Sequence, residues 1–146
     1  MEWLHTPLQI GLTLAMLVCL TLALWKGGQA LRLAASGMVL GSVLSALLQD
    51  RTRPEAAQWI IMVVDAGYLT LLIGLVWRTL QGWLVWAAAL QFAQVISHVS
   101  FALNPEIFGR SYIITSYVLF AGLLAALFCG LGETGGRNRE AGLRDR

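Results

Sequence analysis

The chain of 146 residues is 58% hydrophobic and only 12% charged, whereas a water-soluble domain has about a quarter of its residues charged. This composition excludes an ordinary soluble enzyme. The formal net charge is only +2, and four of the ten basic residues lie in the last ten positions, so no basic surface for a nucleic acid can form.

The first two apolar runs cover residues 8–25 and 30–48. No Lys or Arg precedes the first run, and its length suits a membrane span better than the core of a signal peptide, so we expect an uncleaved helix. The second run contains Arg32 near its start. A bundle of four spans is the alternative if this second helix does not cross the bilayer.

Three further runs follow, at 56–77, 80–103 and 112–131. Pro54 suits the first turn of the third helix, and Asn104 follows the end of the fourth. Each run is long enough to cross about 30 Å of hydrocarbon as a helix, and lipid offers no other partner for backbone amides. The sequence therefore predicts an all-α, polytopic membrane bundle of five transmembrane helices.

These helices form a single predicted domain, 1–132, followed by a tail, 133–146, that is rich in Gly and charge and is expected to be disordered and cytoplasmic. Orientation depends on the basic residues near the span ends. Three lie on the face of the N-terminus: Arg51, Arg53 and Arg110. Seven lie on the opposite face: Lys26, Arg32, Arg78, Arg137, Arg139, Arg144 and Arg146. The expected topology places the N-terminus outside and the C-terminus in the cytoplasm.

Small residues recur at four-residue spacing in several runs, and such residues let membrane helices approach closely. The candidate packing residues are Gly37, Gly41, Ser45, Gly122 and Ala126. These positions could hold one bundle together or bind a second copy of the chain.

Polar residues within the third and fourth runs form the candidate site. At 1.5 Å per residue, Asp65 lies near the middle of the bilayer, and an antiparallel fourth helix brings Gln94 to the same depth. Ionisable residues at such depths are functional candidates by default. The predicted intramembrane polar seam consists of Gln58, Asp65, Tyr68, Gln91, Gln94 and His98.

Two interpretations of this seam stay open. It is either an interhelical clamp in which Gln94 or His98 satisfies Asp65, or a site that carries protons, binds a cation or holds a polar head group. The spans lack enough ligands for a metal site, and no cofactor is predicted. No catalytic motif is present either, so we expect no enzymatic activity.

The third and fourth runs resemble small uncharacterised bacterial inner-membrane proteins that have an Asp in one helix and Gln and Ser-His in the next. The resemblance covers residues 65–98 and rests on Asp65, Arg78, Trp83, Trp86, Gln91-Phe92-Ala93-Gln94 and Ser97-His98. It implies a location in the bacterial inner membrane and no particular activity.

The sequence favours a non-enzymatic scaffold or accessory subunit of a membrane complex, because loops of a few residues leave little surface for aqueous chemistry. The expected partners are the lipid bilayer and either another membrane protein or a second copy of the chain. The alternative is a small oligomeric transporter, or a proton- or cation-conducting protein, that uses Asp65 and His98. A phage lysis or effector protein is a third, less specific interpretation.

Overall fold

A computed structural model describes residues 7–48, 54–103 and 105–144, with the side chains of 8–9, 54–58, 105–111 and 134–144 left undescribed. This part of the chain is all-α and contains five helices. They are α1 (Pro7–Lys26), α2 (Gln29–Leu48), α3 (Pro54–Thr79), α4 (Gly82–Leu103) and α5 (Pro105–Arg144).

The three prolines of the chain, Pro7, Pro54 and Pro105, each stand at the first residue of a helix. Proline suits this position because the first amides of a helix have no intrahelical acceptor and its φ angle is already helical. At the connection between α3 and α4, Leu80 adopts a positive φ of 48°. Its amide donates to the carbonyl of Val76 at 2.9 Å, which closes the last turn of α3.

The fifth helix is longer than the predicted run of 112–131. It begins at Pro105, so the segment before Tyr112 is helical, and it continues to Arg144. The structure thus describes a helical backbone for 133–144, where the sequence predicts a disordered tail. Apart from Gly135, Gly136 and Gly142, the residues there are compatible with a helix and contain no proline, so nothing obliges the helix to stop at the end of the apolar run.

Four of the helices are long and apolar enough to cross a membrane: Gln29–Leu48, Trp59–Thr79, Gly82–Leu103 and Tyr112–Glu133. These include the second predicted helix, which was the least secure. The apolar part of α1 described in full, Ile10–Lys26, is shorter than a span. The chain is thus a helical membrane-type bundle of four or five spanning helices.

The helices pack in a ring in which each contacts its neighbours in the chain and α1 closes against α5. The packing is most extensive where α4 lies between α3 and α5, and α2 also touches α5 across the ring. Three sequence-adjacent helices, α3, α4 and α5, therefore form the best-packed part of the bundle.

One end of the bundle, which we call the closed end, contains the α1–α2 and α3–α4 connections. Large apolar side chains fill it, and Leu31, Leu84 and Leu127 are fully buried. A Cβ atom on Gly130 would lie 2.7 Å from the Trp83 ring and 3.2 Å from Leu31. Glycine is therefore needed where α2, α4 and α5 meet.

The other predicted packing residues occupy several environments. A Cβ atom on Gly37 would lie 2.7 Å from Leu71, and one on Gly122 would lie 3.3 Å from Leu90, so both glycines permit close helix contacts. Ala126 is buried in the core. Gly41 and Ser45 instead line a cavity at the opposite end, which we call the open end.

Candidate functional site

The candidate site is centred on Asp65, which lies in the middle of α3 and faces α4. Its Oδ2 atom is 2.6 Å from Nε2 of His98, and its Oδ1 atom accepts a hydrogen bond of 3.0 Å from Nε2 of Gln91. Both partners lie on α4, seven residues or two helical turns apart, and so project from one face. Two side chains of α4 thus hold the carboxylate at once.

Gln91 fixes the backbone of α3 as well as the carboxylate. Its Nε2 atom also approaches the backbone carbonyl of Asp65 at 3.3 Å, and the residue is buried. Because both partners are acceptors, the amide nitrogen must point toward α3. The position of Asp65 relative to α4 is therefore set independently of His98.

His98 connects Asp65 to α5. The hydroxyl of Tyr112 lies 2.9 Å from Nδ1 of His98, and the two rings meet edge to face with centroids 5.5 Å apart. Phe101 stacks on the other side of Tyr112 at a centroid distance of 4.6 Å. A hydrogen-bonded chain therefore runs from the Tyr112 hydroxyl through the imidazole to the Asp65 carboxylate.

This chain is complete in two charge states. An ionised carboxylate only accepts, so Nε2–H of His98 donates to Asp65, and Nδ1 of the neutral ring accepts from the Tyr112 hydroxyl. When the ring carries a second proton, Nδ1–H donates to the Tyr112 oxygen instead. The same three side chains can therefore hold or release one proton without rearranging.

Gln94 forms a second link between α4 and α5. Its Nε2 atom donates to Oγ of Ser116 at 3.1 Å. The amide nitrogen also lies 3.2 Å from Nε2 of His98. In both charge states, Nε2 of His98 carries one hydrogen and directs it at Asp65, so the contact with Gln94 adds no hydrogen bond. Among the described residues, the buried Oε1 atom of Gln94 has no hydrogen-bond partner.

A cavity of about 460 Å³ lies beside this network at the open end. Such a volume is in the range of small-molecule sites, about 300 to 1,000 Å³. All five helices contribute to its wall, which combines the polar network with aliphatic and aromatic side chains. The Asp65 side chain is 22% exposed, whereas that of His98 is 3% exposed. Both residues line the cavity, but the Asp65 side chain is partly accessible and that of His98 is buried.

The structure brings three of the six predicted seam residues, Asp65, Gln91 and His98, into one hydrogen-bonded network. It places Gln94 beside this network, with its amide nitrogen 3.2 Å from Nε2 of His98. Tyr68 lines the cavity, but its hydroxyl donates to the carbonyl of Ala34 on α2 at 3.0 Å and so belongs to a different contact. The side chain of Gln58 lies outside the described residues.

Sequence reasoning missed the contribution of α5. The polar seam predicted from the sequence includes neither Tyr112 nor Ser116. The two are four residues apart and share a helix face. This spacing was a signal for a polar stripe on the fifth helix, equivalent to the stripe recognised on the fourth.

The described residues contain no group of three or more His, Cys, Asp or Glu side chains that could hold a metal ion. In comparisons with known proteins, no family model, no curated protein and no solved structure matches the chain. The geometry of the site, with a partly exposed acidic side chain beside a cavity of about 460 Å³, is therefore the basis for a functional proposal.

Proposed function

We propose that this chain is a small membrane transport protein that binds a solute in the cavity at its open end, with Asp65 and His98 as the working pair. The observation that carries the proposal is the exposure of the Asp65 carboxylate to a cavity of ligand size. An ionisable group within a span is costly and usually marks a substrate or proton pathway. This function is the alternative that the sequence left open.

The cavity also separates this proposal from the interhelical clamp. A clamp needs only side chains that satisfy one another between packed helices, and Gln91 and His98 already provide this for Asp65. A clamp does not need an accessible carboxylate. It does not need a cavity beside it either, because a cavity removes packing contacts and so destabilises the bundle. The extra space is explained if a solute occupies it.

The scaffold or accessory-subunit interpretation stays a prediction, and so does a homo-oligomer. Several small-residue positions that suggested a partner are used inside the bundle, because Gly37, Gly122 and Gly130 contact other helices of the same chain. Gly67 and Gly74 on α3 favour an outside partner, since a Cβ atom at either would meet nothing within 4 Å. Crosslinking in native membranes, compared between the parent chain and Gly67→Leu, tests whether α3 contacts another membrane protein or a second copy of the chain.

The first experiment tests whether the cavity binds any solute. Thermal unfolding of the purified protein in detergent is measured against a set of cationic, anionic and neutral amphipathic compounds. A bound compound at one hundred times its Kd stabilises the fold by about 2.7 kcal/mol, which is readily measured. We expect at least one compound to raise the unfolding temperature.

Two variants of α2 locate the bound compound. Ser45→Phe places a ring in the cavity and is expected to abolish the stabilisation. Leu40→Phe, on the exposed face of the same helix, is the matched control and is expected to retain it. If no compound stabilises the protein, or if both variants respond like the parent chain, the proposed function is wrong.

We further propose the bacterial inner membrane as the location, with the N-terminus outside and the C-terminus in the cytoplasm. The excess of basic residues on the face of the C-terminus supports this orientation. C-terminal fusions to alkaline phosphatase, which is active outside the cytoplasm, and to a fluorescent protein test it. An active phosphatase fusion would place the C-terminus outside the cytoplasm and so contradict the proposed topology.

A further inference from the structure

We infer that the solute is a hydrophobic organic cation and that it binds in exchange for a proton. This inference rests on the proposed function and names its substrate class. It follows from the charges, the aromatic side chains and the hydrogen bonds that border the cavity.

The charge of the cavity wall selects the sign of the solute. Among the described residues that line the cavity, Asp65 is the acidic side chain, and neither Lys nor Arg is present. A phosphate or carboxylate would therefore meet the Asp65 carboxylate and no Lys or Arg side chain among the described lining residues. A cation would meet a carboxylate in surroundings of low dielectric constant, where attraction between opposite charges is strong.

The carboxylate has capacity left for this cation. An ionised carboxylate offers about four lone-pair positions. One position on Oδ1 is used by Gln91 and one on Oδ2 by His98. The remaining positions belong to a side chain that is partly exposed. The α4 side chains thus hold the carboxylate in place and leave it able to bind.

The remainder of the wall suits an organic cation better than a metal ion. Four aromatic side chains line the cavity: Tyr68, Tyr112, Tyr117 and Phe120. Aromatic ring faces attract cations, and quaternary ammonium groups are recognised in this way. The aliphatic lining residues, such as Leu90 and Leu123, suit the hydrocarbon part of an organic cation. Among the described residues, no group of three or more His, Cys, Asp or Glu side chains could hold a metal ion.

The proton exchange follows from the charge balance around Asp65. When His98 carries a second proton, its ring places a positive charge beside the carboxylate. A bound organic cation supplies that charge itself, so a doubly protonated imidazole 2.6 Å from the carboxylate becomes unfavourable. The His98 ring then gives up its Nδ1 proton and accepts from Tyr112. One cation enters and one proton leaves.

Among the described residues that line the cavity with Asp65, the other titratable groups are Tyr68 on α3, His98 on α4, and Tyr112 and Tyr117 on α5, while the described lining residues of α1 and α2 carry none. His98 is the group among them that contacts the carboxylate directly. We therefore assign the exchange to the Asp65–His98 pair.

The test measures binding of radiolabelled tetraphenylphosphonium to the purified full chain in detergent by equilibrium dialysis. Tetraphenylborate, an anion of the same shape, is the matched control for charge. We expect saturable binding of the phosphonium at one per chain, at least tenfold tighter than that of the borate. Lowering the pH from 8 to 5 is expected to weaken phosphonium binding at least tenfold.

Two variants connect the binding to the pair. Asp65→Asn is expected to lose at least tenfold in phosphonium affinity. His98→Gln, which can still donate to Asp65, is expected to bind the phosphonium with a much reduced dependence on pH. Gel filtration and circular dichroism establish that each variant is folded. If Asp65→Asn does not fold, the comparison of phosphonium with borate on the parent chain still decides the sign of the charge.

The outcomes separate the inference from the proposed function. If an anionic or neutral compound binds the parent chain and Ser45→Phe abolishes that binding, the cavity is a solute site and the cation inference is wrong. If the phosphonium binds equally at pH 5 and pH 8, the proton exchange is wrong. If no compound binds at all, both the inference and the proposed function fail.

Discussion

At the closed end of the bundle, Leu31, Leu84 and Leu127 are fully buried and Gly130 leaves no room for a methyl group, whereas at the open end the same helices surround a cavity of about 460 Å³. The closed end depends on shape, because lipid solvates apolar side chains as well as a helix does and only close contact favours association. The open end depends on hydrogen bonds around Asp65. Apolar packing thus supplies rigidity at one end, and directed polar contacts hold a space open at the other.

The largest expected effect comes from filling the closed end beyond its capacity. Gly130→Ala places a methyl group 2.7 Å from the buried Trp83 ring, and overpacking of this kind costs about 3 kcal/mol of unfolding free energy. Gly41→Ala, at the open end, meets Val64 at an ordinary 3.7 Å and is expected to leave stability unchanged or slightly higher. Unfolding in mixed micelles with a rising fraction of dodecyl sulfate measures both. Equal losses for the two variants would remove the distinction between the ends.

Removing apolar volume should also affect the ends differently. Leu84→Ala empties a fully buried position and is expected to cost about 2 kcal/mol, the low end of the usual range, because lipid replaces the hydrophobic transfer term but not the lost contacts. Ile113→Ala, beside the cavity and 51% exposed, is expected to cost less than about 1 kcal/mol. The same unfolding measurement compares them, and a greater loss for Ile113→Ala would contradict the assignment of the rigid end.

Tyr68 lies at the boundary between the two ends, and its hydroxyl joins α3 to α2. Tyr68→Phe removes the 3.0 Å hydrogen bond to the Ala34 carbonyl and is expected to cost about 1 kcal/mol, a typical value for an interhelical bond in a membrane. Thr70→Val is the control, because it removes a bond from a hydroxyl to the same helix only. Thermal unfolding should show the smaller change for Thr70→Val, and a reversed order would exclude Tyr68 as an interhelical tie.

The smallest expected effect is an increase in stability on substitution at the α3–α4 connection. Leu80 has a positive φ and an exposed side chain, so Leu80→Gly relieves backbone strain and loses little packing. After the greater freedom of glycine in the unfolded chain is subtracted, we expect stabilisation of about 0.5 kcal/mol. Leu40→Gly, at an exposed position inside α2, should lower stability by about 1 kcal/mol. Calorimetry in detergent distinguishes the two signs.

The sequence was a good guide to the helices, because membrane-length apolar runs permit few other structures. It was less informative about their ends. Pro105 indicated where a helix could begin, but the apolar run began only at Tyr112, and the charged residues after Gly132 suggested disorder, although α5 includes both segments.

The depth of each residue in the bilayer could be predicted from the sequence, and this was enough to propose the polar seam. Counting residues from the helix ends placed Asp65 level with Gln94, and Gln91 and His98 share a face with Gln94. Depth alone does not reveal which neighbour a side chain faces, so it could not show that Tyr68 turns toward α2 or that Tyr112 meets His98. The cavity was also beyond prediction, because it depends on how all five helices are arranged around the ring.

The ribosome synthesises the partners of Asp65 after Asp65 itself. Gln91 and His98 follow it by 26 and 33 residues, so α3 enters the bilayer before its carboxylate has a partner. An unpaired Asp at the centre of a helix adds about 2.5 to 3.5 kcal/mol to the free energy of insertion. The span of α3 shares with α5 the highest mean hydropathy of the four, and α4 has the lowest. The helix that can insert with an unpaired charge comes first, and the more polar helix that needs a partner finds Asp65 already in the membrane.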